Sequence, residues 1–145
     1  MNAGADIPAA GVREFEHSGD VGLEVWGDTP AQLLSNATRG LCGLMTWSRV
    51  EPAAARHLEV RAETLADLLV DWLSAVILLA STHAELYASA DVEVGDDGVA
   101  RGTLQGAPVD AARHELRFDV KAATYHGVQV DRTGAGYHAR VVFDL

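Results

Sequence analysis

The chain has 145 residues, 48% of them hydrophobic, and a formal net charge of −10. That length suits one domain with a single sizeable core. The acidity and the lack of any Lys/Arg run argue against tight direct binding to a nucleic-acid backbone. They point instead to a basic partner surface or a cationic ligand.

Residues 1–12 read as a flexible lead and residues 13–145 as one domain. Met1 to Gly11 lacks the basic-then-apolar order of a signal peptide. The longest apolar candidate, Trp72 to Ala80, is about half the length of a membrane span. A cytoplasmic protein without a membrane partner is the expectation. Cys42 is the only cysteine, which excludes an internal disulfide and a Cys-rich zinc site. Its neighbours Leu41, Leu44 and Met45 make it a buried, inert thiol.

Arg13 to His17 and Val21 to Trp26 read as short strands around the break Ser18-Gly19-Asp20. Thr29-Pro30-Ala31-Gln32 is a helix start with a cap, a proline at the first position and a capping-box glutamine. Leu33, Leu34, Ala37, Leu41, Leu44 and Met45 continue it at helical spacing, and Gly40 and Gly43 permit close packing. His57 to Ala62 reads as a strand. Thr64 opens a second helix, whose stripe Leu65, Leu68, Leu69, Trp72, Leu73, Val76, Ile77, Ala80 is core. Everything after Glu85 reads as antiparallel sheet. Tyr87 to Val94 and Val99 to Gln105 flank the hairpin signal Asp96-Asp97-Gly98. Glu115 to Thr124 alternates Leu116, Phe118 and Val120 inward against Arg117, Asp119 and Lys121 outward. Tyr125 to Asp131 and Tyr137 to Phe143 flank the turn Thr133-Gly134-Ala135-Gly136. Helices early and hairpins late predict an α+β fold, a two-layer sandwich with two helices on one face of a mostly antiparallel sheet.

Three clusters can carry chemistry. Glu16-His17-Ser18-Gly19-Asp20 gathers two carboxylates and an imidazole at a tight turn. There Asp20 either caps backbone N–H groups in an Asx-type turn or points outward as a hard oxygen ligand. The terminal run Ala139 to Leu145 is an apolar strand that sets Asp144 beside the α-carboxylate of Leu145. A docked strand end would fix two anionic groups in place, and something cationic must offset them. Asp20 and Asp144 together suit Ca²⁺ or Mg²⁺. The third cluster is Lys121-Ala122-Ala123-Thr124-Tyr125-His126, a solvated strand face or a turn held by side-chain hydrogen bonds. The six histidines, 17, 57, 83, 114, 126 and 138, show no paired i, i+4 spacing. P-loop, G-x-S-x-G, H-E-x-x-H and G-x-G-x-x-G signatures are absent.

Four stretches in this order resemble the archease family: Phe15 to Leu23, Leu68 to Leu73, Lys121 to Val128, and Ala139 to Leu145. The resemblance runs from Arg13 onward. It implies an accessory protein, not an enzyme, that activates an RtcB-type RNA ligase in tRNA splicing and RNA repair. Such a ligase joins 2′,3′-cyclic phosphate and 5′-hydroxyl ends with GTP and Mn²⁺. The helper promotes guanylylation of the ligase and its multiple turnover, and broadens its nucleotide use. The family's metal ligands fall on Asp20, Asp144 and Leu145, for Ca²⁺, Mg²⁺ or Mn²⁺. Lys121 matches a basic residue of its active surface, and His17 and His126 are further surface candidates. The family usually reads His-Thr-Ala-Asp where this chain has His17-Ser18-Gly19-Asp20, and it frequently carries Asp where this chain has Trp47. From a different class, a metal-dependent hydrolase using Asp20 and Asp144 is the alternative.

Overall fold

The first hairpin sets the frame. Strands β1 (Val12–His17) and β2 (Asp20–Gly27) pair from Val12↔Val25 to His17↔Asp20. Ser18 (φ 47°) and Gly19 (φ 90°) form the two-residue connection, and positive φ at both is what a type I′ turn demands. The computed structural model describes residues 7–134 and 136–145, apart from the side chain of His17. Within the lead, residues 1–6 and the expectation placed on them lie outside the described residues. Residues 7–11 are tied down. Gly11 N–H donates to Pro8 C=O at 2.9 Å, Trp26 N–H donates to Gly11 C=O at 2.8 Å, and Arg39 donates to Ala10 C=O.

Helix α1 (Pro30–Met45) starts as its sequence dictates. Thr29 accepts from Gln32 N–H at 3.1 Å, and Pro30 fills the first turn. The Gln32 side chain reaches one residue further back than in a standard capping box and accepts from Asp28 N–H at 2.6 Å. A Cβ at Gly40 would sit 2.5 Å from Val12 Cγ2, so Gly40 is what lets α1 close on β1. Gly43 has no such crowding. Its carbonyl accepts from Arg117 at 2.6 Å.

Strand β3 (Ala54–Arg61) leads into helix α2 (Leu65–His83), capped by Thr64, which accepts from Asp67 N–H. Strands β4 (Glu85–Val94) and β5 (Val99–Pro108) form the Asp96-Asp97-Gly98 hairpin, and β3 pairs the far side of β5. The chain closes with β6 (Ala122–Ala123), β7 (Gln129–Thr133) and β8 (Gly136–Asp144). The α+β class holds. The strands divide into two antiparallel sheets, β1-β2-β8-β6 with β7 also on β8, and β3-β5-β4. The helices pack against both: α1 against β2 and β4, α2 against β3, β4, β5 and β6.

Two stretches depart from the alternation read in the sequence. Residues 115–121 form no strand, only an isolated bridge between Leu116 and Thr46, and strand pairing begins at Ala122. Arg117 and Phe118 N–H donate to Met45 and Leu44 C=O at 2.9 and 3.1 Å, satisfying carbonyls that the end of α1 leaves open. Leu116 is consequently 54% exposed. Arg117, read as solvated, is the tucked residue. It grips Glu14 at 2.9 and 3.2 Å and lies 3.5 Å from the Trp47 ring. Residues 125–128 form a turn closed by Val128 N–H to Tyr125 C=O at 3.3 Å, so strand pairing resumes at Gln129. Of the Thr133–Gly136 turn, Ala135 lies outside the described residues.

The core is built from Leu23, Val25, Leu33, Leu69, Trp72, Leu73, Leu104 and Phe143, each essentially inaccessible. The 19-residue α2, with a mean hydropathy of 1.7 over its most apolar window, meets the length and composition of a membrane span. The sequence reading, confined to Trp72–Ala80, missed this. Leu68, Leu69, Val70, Trp72, Leu73, Val76 and Ile77 of the same helix are buried in the core. A polar cluster also went unread: the buried Glu85 accepts from Arg56 at 2.8 and 3.0 Å and from Tyr87 Oη at 2.8 Å. The Arg56 hydrogen bonds hold the Glu85 carboxyl below its usual range.

Cys42 is 8% exposed, and burial pushes its thiol up to about 11. The thiolate is the reactive form, so native protein is expected to label with a thiol reagent at neutral pH far more slowly than protein in denaturant. Equal rates in a time-resolved absorbance assay would contradict that burial.

Candidate functional site

The site is built by strand register. Val21 pairs Phe143 at the end of the β2–β8 ladder, so the next position outward sets Asp20 opposite Asp144. Residues directly opposite on antiparallel strands have Cα atoms about 4.5–5.5 Å apart and side chains on one face. On the other flank of β8, Ala122 pairs Asp144 and Ala123 pairs Phe143. Lys121 N–H donates to Asp144 C=O at 2.9 Å, and Thr124 N–H donates to Val142 C=O at 3.0 Å. The end of β8 is therefore held from both sides, with Phe143 and Val141 fully buried beneath it.

The inward residues explain why this end stays ordered. Val21, Phe143 and Ala123 share the core face, which turns Asp20 and Asp144 to the outer face. Phe15 lies over Gly22 on that outer face. A Cβ at Gly22 would fall 2.2 Å from its ring, and Arg140 stacks on the same ring at 4.0 Å.

The carboxylates on this face differ in their partners. Glu24 accepts from Arg13 at 3.1 Å and meets His138 Nε2 at 3.0 Å. Burial raises its pKa, but the His138 and Arg13 hydrogen bonds outweigh burial and hold the carboxyl below its usual range. Asp20 and Asp144 have no ion-pair or side-chain hydrogen-bond partner among the described residues. The Asx-cap reading of Asp20 therefore has no hydrogen bond behind it. Asp20 is half-buried and Asp144 exposed. Two neighbouring, unpaired carboxylates are a hard-oxygen donor set of the kind Ca²⁺ and Mg²⁺ take. Among the described residues, no group of three or more His, Cys, Asp or Glu side chains converges as a metal cluster. Leu145 follows Asp144 directly and is exposed.

Lys121 is exposed, one residue before β6, with no ion-pair partner among the described residues. His126 lies on the exposed turn after β6, where Thr124 Oγ1 approaches its carbonyl at 3.5 Å, as the turn reading had it. The backbone of His17 closes the first hairpin opposite Asp20, and its side chain lies outside the described residues.

The sequence reading places Tyr125 in the third cluster as a turn residue and misses its partner Asp71. Tyr125, 56% exposed, donates its hydroxyl to the Asp71 carboxylate of α2. That hydrogen bond, with burial behind it, pushes the phenol up to about 12. Asp71 was passed over because it lies on the polar side of a stripe read as core. Its signal was being the acid within Leu68–Leu73.

Comparison with known proteins decides the family. The sequence profile of the Archease protein family matches residues 13–145. The chain belongs to the archease family. The archease of Methanopyrus kandleri is 35% identical over 136 residues, spanning 91% of this chain and 97% of the relative. That of Methanothermobacter thermautotrophicus is 31% identical over 139 residues, spanning 93% and 99%. Among solved structures, the solution structure of Methanobacterium thermoautotrophicum protein 1598 superposes with a TM-score of 0.78 at 28% identity, over 94% of this chain and 99% of that one. The crystal structure of an archease from Thermotoga maritima, described as a possible chaperone, gives 0.66 at 20% identity over 92% and 96%, a likeness of fold.

Proposed function

We propose that this chain is an accessory protein that activates an RtcB-type RNA ligase, promoting its guanylylation and multiple turnover, through a divalent-cation site at the end of β8. Family membership supports the accessory role. The observation that carries the site is the β2–β8 register, which ends at Val21↔Phe143 and leaves Asp20 and Asp144 one position beyond it, both without an ion-pair partner among the described residues. Like charges directly opposite on a sheet are destabilising, and a bound cation would remove that penalty. The α-carboxylate of Leu145 is the proposed third ligand. Ca²⁺, Mg²⁺ and Mn²⁺ all accept oxygen donors, and the bound cation supplies positive charge beside Asp20 and Asp144. Lys121 and His126, on the far flank of β8, provide the cationic and hydrogen-bonding part of the surface offered to the ligase. The chain itself performs no bond-making step in this scheme.

A short C-terminal extension after Leu145 tests the proposal. It converts the α-carboxylate to an amide and fills the space beyond the strand end, while the β2–β8 ladder up to Asp144 stays intact. The expected result is loss of multiple-turnover RNA joining with limiting ligase, at unchanged melting temperature. The same assay without ligase separates activator from hydrolase, since an activator turns over nothing alone. Full activation by the extended protein counts against Leu145 as a ligand.

A further inference from the structure

We infer that Arg140 is an anion-binding residue of the strand end and that, beside a divalent cation on Asp20 and Asp144, it takes a phosphate group. This rests on the cation site proposed above and names what that site binds. The first observation is a guanidinium with nothing to bond. Arg140 is half-buried on the outer face of β8. It has no ion pair or hydrogen bond among the described residues. A guanidinium carries five donors, and a charge drawn out of water needs a partner. The register explains why this one has none. Glu24 stands directly opposite Arg140. One Glu24 oxygen accepts from Arg13 at 3.1 Å and the other meets His138 Nε2 at 3.0 Å. On the other flank of β8 the opposite residue is Gln129, which carries no charge.

The second observation is where the guanidinium is held. Its Cζ lies 4.0 Å from the centroid of the Phe15 ring. A Cβ on Gly22 would meet Phe15 Cζ at 2.2 Å, so the tip of that ring lies over the glycine. Phe15 pairs Gly22, and Gly22 pairs Val142. The guanidinium is therefore carried off its own row and onto the Phe15–Gly22–Val142 row. The next row outward holds Asp20 and Asp144. Rows two residues apart on a strand are separated by about 6.8 Å. Arg140 pairs with neither carboxylate. Stacking on the aromatic face holds the guanidinium in place, so its charge stands beside the cation site without filling it.

The third consideration is fit. Mg²⁺ stands about 2.1 Å from a ligand oxygen, and a guanidinium nitrogen about 2.8 Å from a phosphate oxygen. One tetrahedral phosphate, making those two contacts through different oxygens, spans about one row of the sheet. A cation and a guanidinium facing each other across that gap repel, and a phosphate dianion between them binds both. The planar fork of arginine matches phosphate in two parallel hydrogen bonds. The order of binding follows from charge. Asp20 and Asp144 repel an anion until a cation neutralises them, so the cation enters first and the phosphate second.

Calorimetry of the full chain tests this, with Mg²⁺ as the cation and inorganic phosphate as the probe. Protein saturated with Mg²⁺ is expected to bind phosphate, and metal-free protein is not. Arg140→Gln removes the charge and the fork. Its phosphate affinity is expected to fall at least about tenfold, the loss of a hydrogen bond to a charged group, with Mg²⁺ binding and melting temperature retained. Arg140→Lys keeps the charge and is expected to recover part of the affinity. A 5′-mononucleotide that binds tighter than free phosphate makes the ligand a phosphate monoester, and one that binds more weakly makes it the free anion. Acetate that binds as tightly as phosphate overturns the assignment to phosphate. Phosphate binding that is unchanged in Arg140→Gln, or that needs no Mg²⁺, overturns the inference and leaves the cation site standing. A wild-type chain that binds no Mg²⁺ removes both.

Discussion

Asp20→Asn is expected to abolish activation of the ligase in a multiple-turnover RNA-joining assay while the fold survives. The substitution keeps size and shape but removes one charge and one strong cation-binding oxygen. Asp20 makes no side-chain hydrogen bond or ion pair among the described residues, so nothing structural is lost with it. Surface changes of that kind move stability by about 0.5 kcal/mol or less. Without metal the sign is toward stabilisation, because the variant also relieves repulsion with Asp144. Activation should fall at least about tenfold, the lower end of what even an outer-shell change costs a metal site. A second readout separates metal from partner. Wild-type protein should gain about 2.7 kcal/mol of unfolding free energy when a cation stands at a hundred times its dissociation constant, and Asp20→Asn should gain far less. Asp119→Asn, at an exposed position of the 115–121 segment, is the control for charge alone. If Asp20→Asn activates as wild type and shifts equally with Ca²⁺, the site is wrong even though the family stands.

What made that site legible was local signal at both its halves. The Ser18-Gly19 turn fixes where β2 begins, and the apolar run from Ala139 fixes where β8 ends. The sequence does not state the pairing that joins them, because the residues of the site are separated by more than a hundred positions of chain. The helices were legible for a similar reason: caps at Thr29 and Thr64 and stripes at helical spacing are short-range. The 115–121 segment was misread for the converse reason. Its alternation is genuine, but a strand needs a neighbour, and here the available acceptors were Leu44 and Met45 carbonyls at the end of α1. Arg117 then turned inward because Glu14, Gly43 C=O and the Trp47 ring all lie within its reach. None of those partners is near it in sequence. Asp71 was hidden by its own helix, since a stripe analysis weighs the apolar positions and ignores the polar face between them.

Trp72→Ala is expected to be the most damaging single change to the fold. Trp72 is fully buried on α2, where it stands against the β3-β5-β4 sheet with its ring over Gly102. A Cβ on Gly102 would sit 3.0 Å from Trp72 Cη2. Its indole Nε1–H donates to Thr38 Oγ1 of α1 at 2.9 Å, and that hydroxyl in turn donates to Leu34 C=O at 2.8 Å. One side chain thus ties α2 to α1 and to β5. Truncation to alanine removes the transfer energy of a large aromatic and leaves a cavity, together costing about 3–5 kcal/mol. Against a total of about 5–15 kcal/mol for a domain, that loss populates the unfolded state or removes the folded one. Trp72→Phe separates the two contributions, since it keeps most of the ring volume and loses the donor. Thr38 still has Leu34 C=O for its own proton, so the hydroxyl is not orphaned, and the cost should be near 1–2 kcal/mol from the lost hydrogen bond and the smaller ring. Thr38→Val removes the acceptor and leaves a buried indole N–H unsatisfied, for about 1–3 kcal/mol. In urea unfolding the Trp72→Phe/Thr38→Val pair should be less destabilised than the sum of its members, because residues sharing one hydrogen bond are coupled. Additive costs would show that the indole N–H contributes nothing and that Trp72 acts by volume alone.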